Sequence, residues 1–371
     1  MKMKAMIIHG AGDIRLEEKD KPVPGPYDVV SKVSYSGICG TDLGIFNGKV
    51  SFAKDGGVKY PLSVGHEWSG IVDSVGSAVT KFKPGDRVVS DTGVSCGKCA
   101  DCLAGNFNKC KYGKSLGTLN AHEYGTFAEY IMIPEWNMYH LDGRVSLEQG
   151  ALIEPAVIAL TGIQTAGIKA TGIQAAGDRL TNDNSNQACG SALVIGTGAI
   201  GLACVAFLKA LGVKKVFVAG RKQGKLNAGL KLGADIAINT VSGPAGEKMA
   251  DAIMKETGGE GANIILEASG SCGMLDQALD CAASGAIINL IGFYEDKFSA
   301  DFNLDRIVLK SLTINGSIPS NLIQTVMGMM AAGTIDLSEL ITHTIPIEEC
   351  AGAFINSAAM SADKIKVLVK M

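Results

Sequence analysis

The stretch SALVIGTGAIGLACVAFLKALG, residues 191–212, decides the fold of the second part of this chain. SALVI has the apolar composition of a buried strand, GTGAIG matches the pattern G-x-G-x-x-G, and the remainder repeats apolar residues at helical spacing. In that context Gly196, Gly198 and Gly201 allow a tight turn and bring a pyrophosphate close to the N-terminus of the helix. The stretch therefore predicts a dinucleotide-binding site.

Strands and helices continue to alternate beyond this stretch. VKKVFVAGR, ANIILEAS and GAIINLIGF are typical of buried strands, and KLNAGLKLGAD and MLDQALDCAAS between them are typical of helices. Such alternation is the pattern of a doubly wound parallel sheet. We predict a Rossmann domain over residues 161–316, of the α/β class.

The end of the second strand carries information about the cofactor. NAD-binding proteins place an acidic residue there to hold the ribose 2′-hydroxyl, but no acid occurs from Val216 to Ala234. Instead Gly220 is followed by Arg221 and Lys222. A small residue leaves room for a 2′-phosphate, and a guanidinium can bind it with two hydrogen bonds. NADP(H) is the predicted cofactor, in preference to NAD(H); the alternative is that Arg221 is a solvated loop charge.

The first 150 residues have a different texture. Short apolar runs such as AMIIHG, DVVSKVSYSG and KPGDRVVSDTG are separated by turn signals, which favours a mostly β, barrel-like domain. The C-terminal KIKVLVKM has the composition of a closing strand that returns to this domain. We therefore predict one domain from residues 1–160 plus 317–371, with the Rossmann domain inserted. At the junction, TGIQTAGIKA (161–170) is nearly repeated as TGIQAAGDRL (171–180), with no assigned role.

A cluster of cysteines lies within CGKCADCLAGNFNKC, residues 96–110. Its four thiolates can complete a tetrahedral shell around one zinc ion, which leaves no position open for water or substrate. We predict a structural zinc lobe over about residues 91–113, and the chemistry must lie elsewhere. The ligands are Cys96, Cys99, Cys102 and Cys110.

Candidate ligands for a second, open metal site are scattered along the first domain. Cys39 lies in GICGTD, His66 and Glu67 lie in VGHEWSG, and Glu154 is a lone carboxylate in the apolar ALIEPAVIAL. A buried carboxylate is costly unless it is paired or metal-bound. One thiolate, one imidazole and one or two carboxylates make a plausible catalytic zinc site.

Taken together, these motifs resemble the zinc-dependent medium-chain dehydrogenases, the family of alcohol, sorbitol and threonine dehydrogenases. GICGTD, GHEWSG, the cysteine lobe, GTFAEY, ALIEP and GTGAIG carry the resemblance along nearly the whole chain. The pair Glu154-Pro155 and the motif GHE are similar to those of the polyol and threonine dehydrogenase branch of the family. The resemblance implies a GroES-like catalytic domain built from both chain ends, and homodimers or homotetramers.

The family also implies roles for individual residues. Zinc would be held by Cys39, His66 and Glu67, with Glu154 close enough to exchange with water. Thr41 matches the hydroxyl that passes the substrate proton outward, and Asp42 matches a carboxylate that orients the histidine. Many relatives carry a histidine where this chain has Gly44, so the usual end of the proton relay is missing.

Composition limits the remaining possibilities. A formal charge of −3 in 371 residues disfavours a role driven by nucleic-acid binding, and no apolar run is long enough to span a bilayer. The other cysteines lie in apolar or small-residue surroundings, as reduced thiols do, which predicts a cytoplasmic protein.

The predicted function is a zinc-dependent oxidoreductase. It would transfer a hydride between NADP(H) and a polyol or sugar secondary alcohol, or the corresponding ketone, and would contain two zinc ions per chain. The alternatives are a general alcohol or aldehyde reductase and, in a different class, a non-catalytic NADP-binding regulator that retains the fold.

Overall fold

The chain folds into two compact units. This computed structural model describes residues 1–50, 56–121, 123–168, 190–241, 248–294, 303–317, 321–356 and 363–371. The first unit comprises Met1–Glu154, Ile341–Ser361 and Lys366–Met371, and the second comprises Pro155–Leu340 and Ala362–Ile365. None of the helices in the described ranges has the length and apolar character that a bilayer crossing needs.

The strands and helices are numbered along the chain. The strands are β1 (Lys2–Gly10), β2 (Asp13–Asp20), β3 (Asp28–Gly37), β4 (Leu62–Ser63), β5 (Glu67–Val75), β6 (Arg87–Ser90), β7 (Gly93–Val94), β8 (Lys114–Ser115), β9 (Tyr130–Pro134), β10 (Met138–His140), β11 (Ser191–Ile195), β12 (Lys215–Gly220), β13 (Ile236–Asn239), β14 (Ala262–Glu267), β15 (Ala282–Leu290), β16 (Thr313–Gly316), β17 (Ile341–Pro346) and β18 (Lys366–Lys370). The helices are α1 (Gly40–Phe46), α2 (Ala100–Leu103), α3 (Leu147–Gly150), α4 (Ile153–Thr165), α5 (Ala199–Ala210), α6 (Gln223–Lys231), α7 (Met249–Glu256), α8 (Cys272–Cys281), α9 (Asp305–Leu309), α10 (Ile323–Ala331) and α11 (Cys350–Ile355).

The second unit contains the predicted doubly wound sheet. Its strand order is β13-β12-β11-β14-β15-β16, and every neighbouring pair is parallel. All five residues of β11 are buried, as expected for a strand covered on both faces. The order reverses between β11 and β14, so the carboxyl ends of these two strands form the crevice in which such sheets bind ligands. The Rossmann prediction is confirmed.

The first unit is built mainly from antiparallel strands. One sheet has the order β10-β6-β5-β3-β18-β17, with β9 also paired to β3, and another has the order β2-β1-β4. The predicted C-terminal strand is β18, whose Leu368 lies opposite Gly37 of β3. The chain therefore returns to the first unit and completes its sheet, in agreement with the GroES-like fold.

The second unit extends beyond the range 161–316 at both ends. On the C-terminal side it includes α10, whose Ile323, Val326 and Met329 are buried. The return to the first unit therefore begins at Ile341 and not at residue 317. Most of the repeated segment 161–180 lies outside the described residues, since the description stops at residue 168 and resumes at residue 190.

Candidate active site

The pairing of β3 with β5 brings three of the predicted ligands together. Gly37, the last residue of β3, lies opposite Glu67, the first residue of β5. Cys39 follows β3 by two residues and precedes α1, while His66 immediately precedes β5. One ligand atom from each of Cys39, His66 and Glu67 lies within 4.8 Å of the other two. The turn after β3 and the start of β5 therefore form a group of sulfur, nitrogen and oxygen donors.

A buried carboxylate connects two of these donors. Oδ2 of Asp42 accepts a hydrogen bond from the backbone N–H of Cys39 at 2.8 Å, and Oδ1 lies 3.2 Å from Nδ1 of His66. Burial opposes charge on His66, but the negative charges of Asp42 and Cys39 outweigh it, and the pKa of His66 is raised well above its usual value. The surroundings of His66 are therefore strongly favourable to a cation.

The carboxylate of Glu67 is held by a residue that the sequence analysis did not identify. Nζ of Lys366 lies 2.7 Å from Oε1 and 2.6 Å from Oε2 of Glu67, and it also donates to the carbonyl of Ile38 at 3.1 Å. Lys366 is 3 % exposed and Glu67 is 1 % exposed. The sequence did contain a signal for this contact. Lys366 begins a buried apolar strand, and a lysine in that position needs a carboxylate partner.

Gly37 is required for this arrangement. A Cβ atom at position 37 would lie 2.1 Å from Oε2 of Glu67, which is far closer than any real contact. The glycine in GICGTD that precedes Cys39 by two residues thus makes room for the Glu67 carboxylate on the opposite strand.

Glu154 lies near this group but does not belong to it. Its carboxylate is outside the set of donor atoms that fall within 4.8 Å of one another in the described residues. Oε1 accepts a hydrogen bond from the hydroxyl of Thr92 at 2.9 Å. Burial, opposed by His66 and reinforced by the charge of Glu67, raises the pKa of Glu154 to about 7. Glu154 is thus a group that can change protonation near neutral pH; Thr92, which had no signal in the sequence, holds it.

Thr41 and Gly44 both lie on α1, directly after Cys39. Thr41 is half-buried in the first turn of this helix, and Gly44 is buried. Thr41 and Asp42 therefore lie in the same turn of α1. The resemblance to the family places the Thr41 hydroxyl beside the substrate.

The four clustered cysteines converge as the spacing predicts. Sγ of Cys99 lies 3.5 Å from Sγ of Cys102 and 3.9 Å from Sγ of Cys110, and Sγ of Cys96 lies 3.9 Å from Sγ of Cys102. Backbone N–H groups, first that of Lys98, lower the pKa of the Cys96 thiol to about 6, whereas burial raises the pKa of the Cys102 thiol to about 12. Four thiols at these separations can surround one tetrahedral ion, with no position left for substrate.

Trp136 and Asn137 attach the cysteine lobe to the rest of the first unit. The indole N–H of Trp136 donates to the carbonyl of Ser95 at 3.1 Å, and the amide of Asn137 binds the backbone of both Gly93 and Ser95. Gly97 has φ +70°, and a Cβ there would lie 2.5 Å from the Trp136 ring. The lobe therefore has a fixed base just before its first cysteine.

The glycine-rich turn of the second unit has the geometry that its motif predicts. Gly196 has φ +112°, and a Cβ at Gly201 would lie 2.0 Å from the carbonyl oxygen of Gly196. Gly198 is the residue that precedes the first turn of α5, and a Cβ there would meet no atom of the described residues within 4 Å. Backbone conformation and packing thus require glycine at positions 196 and 201. Gly198 instead leaves space at the N-terminus of α5, where a pyrophosphate binds in such folds.

Cations gather at the carboxyl end of β12. Arg221 and Lys222 are exposed and lead into α6, whose first turn holds Lys225 and no acidic residue. Burial and the like charges of Lys222 and Lys364 lower the pKa of Lys225, and burial and Lys222 lower that of Lys364. We call Arg221, Lys222, Lys225 and Lys364 the basic cluster.

Two members of the basic cluster were missed by the sequence analysis. Lys225 lies in the first turn of α6, only four residues after Arg221, and this closeness in sequence could have identified it. Lys364 had no sequence signal, since it is brought to α6 by the contact of its neighbour Asp363 with Gly224, where a Cβ would lie 2.1 Å from the Asp363 carboxylate. Gly220 also makes room within the protein, because a Cβ there would lie 2.5 Å from the Thr197 side chain.

Comparisons with known proteins match both parts of the chain to one family. Residues 25–143 match the alcohol dehydrogenase GroES-like domain, and residues 199–333 match the zinc-binding dehydrogenase domain. The chain is 32 % identical to an L-threonine 3-dehydrogenase of Bacillus velezensis over 357 residues, which cover 95 % of each protein. The chain belongs to the zinc-dependent alcohol dehydrogenase family.

Further relatives place it among the dehydrogenases of alcohols and polyols. It is 29 % identical to a sorbitol dehydrogenase of Halalkalibacterium halodurans over 375 residues, 99 % of each protein. Its fold is similar to that of a zinc-binding dehydrogenase from Sinorhizobium meliloti 1021 bound to NADP, with a TM-score of 0.84, 26 % identity and 100 % of each chain covered. The predictions of an enzyme and of an oxidoreductase of this family are confirmed.

Proposed function

We propose that this dehydrogenase transfers a hydride between NADP(H) and a secondary alcohol of a polyol or sugar, or the corresponding ketone. The observation that carries the proposal is the convergence of Cys39, His66 and Glu67 within 4.8 Å in a buried part of the first unit. Three protein ligands leave a coordination position for substrate, unlike the four cysteines of the lobe. A non-catalytic regulator would have no use for such an open set of donors.

The donor set fits a zinc ion. It combines a thiol, an imidazole and a carboxylate, the ligand types that zinc prefers, and negative groups surround the imidazole. We assign Cys39, His66 and Glu67 to this catalytic ion and the four lobe cysteines to a structural one, two ions per chain. Glu154 is assigned to the outer side of the catalytic site, where it can approach the ion or a water molecule. When bound, the catalytic ion supplies Lewis acidity to the oxygen of the substrate.

The protein's own residues then orient the ligands and handle the proton. Asp42 holds the Cys39 backbone and lies beside the His66 ring, and Lys366 fixes both oxygens of Glu67. We assign the transfer of the substrate proton to Thr41. Because Gly44 replaces the histidine that ends the usual relay, we assign the next acceptor to Glu154, whose pKa is about 7.

The basic cluster supports NADP(H) over NAD(H). The 2′-phosphate of NADP carries close to two negative charges at neutral pH. The four cations of the basic cluster outnumber the one carboxylate that the described residues place beside the first turn of α6, that of Asp363. The first acid after β12, Asp235, is occupied at the opposite end of that strand, where it accepts from the backbone N–H of Val216 at 2.7 Å and pairs with Lys209. It is not placed to bind a ribose hydroxyl.

The relatives support the proposed substrate class. Sorbitol is a polyol, and the hydroxyl at the 3 position of threonine lies on a secondary carbon, so both named substrates present a secondary alcohol with a polar neighbour. The oligomeric state, a dimer or tetramer, and the cytoplasmic location remain predictions.

A spectrophotometric screen tests the proposal. Polyols, sugars and simple primary alcohols are oxidised with NADP⁺ and NAD⁺ side by side, and the corresponding ketones are reduced. We expect the highest kcat/KM for a secondary alcohol with a neighbouring hydroxyl and NADP⁺. Turnover confined to primary alcohols would instead identify a general alcohol or aldehyde reductase.

A further inference from the structure

A fully buried carboxylate in the second unit has no part in the chemistry described so far. Glu267, the last residue of β14, is 0 % exposed. Oε1 accepts from the backbone N–H of Ser269 at 2.9 Å and from its hydroxyl, while Oε2 accepts from the N–H of Gly270 at 3.1 Å and from the hydroxyl of Tyr294 at 2.6 Å. One side chain thus connects the turn after β14 with the segment after β15.

The position of this carboxylate in the sheet gives it significance. Glu267 lies opposite Ile195 in the parallel pairing of β11 with β14, so it is next to the residue that precedes the glycine-rich turn. The strand order reverses between these two strands. A dinucleotide crosses such a crevice with its adenosine half on the β12 side, which here carries the basic cluster, and its nicotinamide half on the β14 side.

The loops at this edge touch through their backbones. A Cβ on Gly196 would lie 2.9 Å from the backbone of Ala268 and Ser269. A Cβ on Gly292 would lie 2.5 Å from the backbone nitrogen of Gly270. A change in the turn after β14 must therefore move the glycine-rich turn on one side or the segment after β15 on the other.

We propose that Tyr294 and Glu267 are positioning residues for the nicotinamide half of the cofactor. Their hydrogen bond fixes the turn Ala268–Ser271 against Gly196 and Gly292, and so sets the surface on which that half of the dinucleotide rests. The proposal depends on dinucleotide binding at the glycine-rich turn, and not on the identity of the substrate or on the preference for NADP.

The chemistry of the pair suits a permanent contact. Burial and the hydrogen bond to Glu267 raise the pKa of Tyr294 well above its ordinary value, so the phenol keeps its proton and remains a donor. The Glu267 carboxylate has acceptor capacity for all these donors, whereas an amide in its place would point an NH₂ group at other N–H or O–H donors.

Binding of a whole cofactor and of a fragment tests the proposal. The dissociation constants of NADP⁺ and of 2′,5′-ADP, which lacks the nicotinamide half, are measured for the wild type, Tyr294→Phe and Glu267→Gln. We expect Tyr294→Phe to weaken NADP⁺ binding about tenfold, because a hydrogen bond to a charged group is lost. Its affinity for 2′,5′-ADP should be unchanged. Glu267→Gln should show the larger loss of NADP⁺ affinity.

The control is Tyr60→Phe, which removes a tyrosine hydroxyl hydrogen bond, to the carbonyl of Ile45, in the first unit. It should alter neither constant. The proposal is overturned if Tyr294→Phe binds NADP⁺ like the wild type, or if it loses the same factor for NADP⁺ and 2′,5′-ADP. If the wild type prefers NAD⁺, the same comparison is made with NAD⁺ and ADP-ribose, so failure of the cofactor assignment is distinguished from failure of this proposal.

Discussion

The ammonium group of Lys366 binds both carboxylate oxygens of Glu67, at 2.6 and 2.7 Å, across 299 positions of sequence. The side chains of Lys366 and Glu67 are 4 % and 1 % exposed. The strand that closes the first unit therefore supplies the cation that balances a candidate zinc ligand.

The ion pair between Lys366 and Glu67 should stabilise the fold only when both charges are present. Lys366→Met leaves the buried Glu67 carboxylate without its counter-ion, and we expect the free energy of unfolding to fall by about 3–5 kcal/mol. The measurement is urea denaturation followed by far-ultraviolet circular dichroism. The matched control is Lys366→Met combined with Glu67→Gln, which removes both charges and should recover most of the loss. Equal destabilisation of the single and double variants would show that the charge of Glu67 is not the cause.

The cysteine lobe should contribute to structure and not to chemistry. Cys102→Ser removes the most buried ligand of the lobe, and we expect zinc content, measured by atomic absorption, to fall from two ions per chain to one. The melting temperature should fall while substantial activity remains at a temperature below melting. Cys272→Ser, a cysteine outside both donor groups, should keep both ions. Complete loss of activity with unchanged melting would contradict a structural role.

The basic cluster should discriminate between cofactors. Arg221→Ala and Lys225→Ala each remove a cation near the predicted 2′-phosphate, and we expect the dissociation constant of NADP⁺ to rise about tenfold while that of NAD⁺ hardly changes. Lys364→Ala should act in the same direction. Lys231→Ala is the control, since this lysine lies at the other end of α6 and pairs with Glu339 at 3.0 Å. An equal loss of affinity for both cofactors would argue against a 2′-phosphate site.

Glu154 should control the acid limb of the pH profile. Its pKa is about 7, and only the ionised carboxylate can accept a proton. The kcat/KM of alcohol oxidation should therefore fall as the pH decreases through about 7. Glu154→Gln should abolish this limb.

A second variant determines the sign of that effect. The Thr92 hydroxyl stabilises ionised Glu154, so Thr92→Val should raise the pKa of the carboxyl group and move the limb to higher pH. A limb that persists unchanged in Glu154→Gln would assign it to another group.

Local patterns predicted the fold well because both units repeat short signals. The G-x-G-x-x-G turn between a buried strand and a helix identifies β11 and α5, and the alternating strands and helices that follow identify the parallel sheet. The spacing of the four cysteines was equally informative, because all four lie within fifteen residues. In each case the interacting residues are close in sequence.

The contacts that sequence reasoning missed join residues that are far apart. Lys366 contacts Glu67, Thr92 contacts Glu154, and Tyr294 contacts Glu267 only in the folded protein. The second unit extends past the predicted residue 316 for a similar reason. It includes α10, an apolar helix whose sequence does not reveal which unit buries it. The contact of Gly220 with the Thr197 side chain is of the same kind, because it joins the end of β12 to the glycine-rich turn.

The contact between Lys366 and Glu67 also imposes an order on how the protein is made. During synthesis, Glu67 emerges together with Cys39 and His66, but its counter-ion is added only after the entire second unit has been translated. Until then the strand β3 lacks its neighbour β18, and Glu67 lacks its lysine partner. The candidate ligand group can therefore take the arrangement seen in the complete chain only once the last strand has been added.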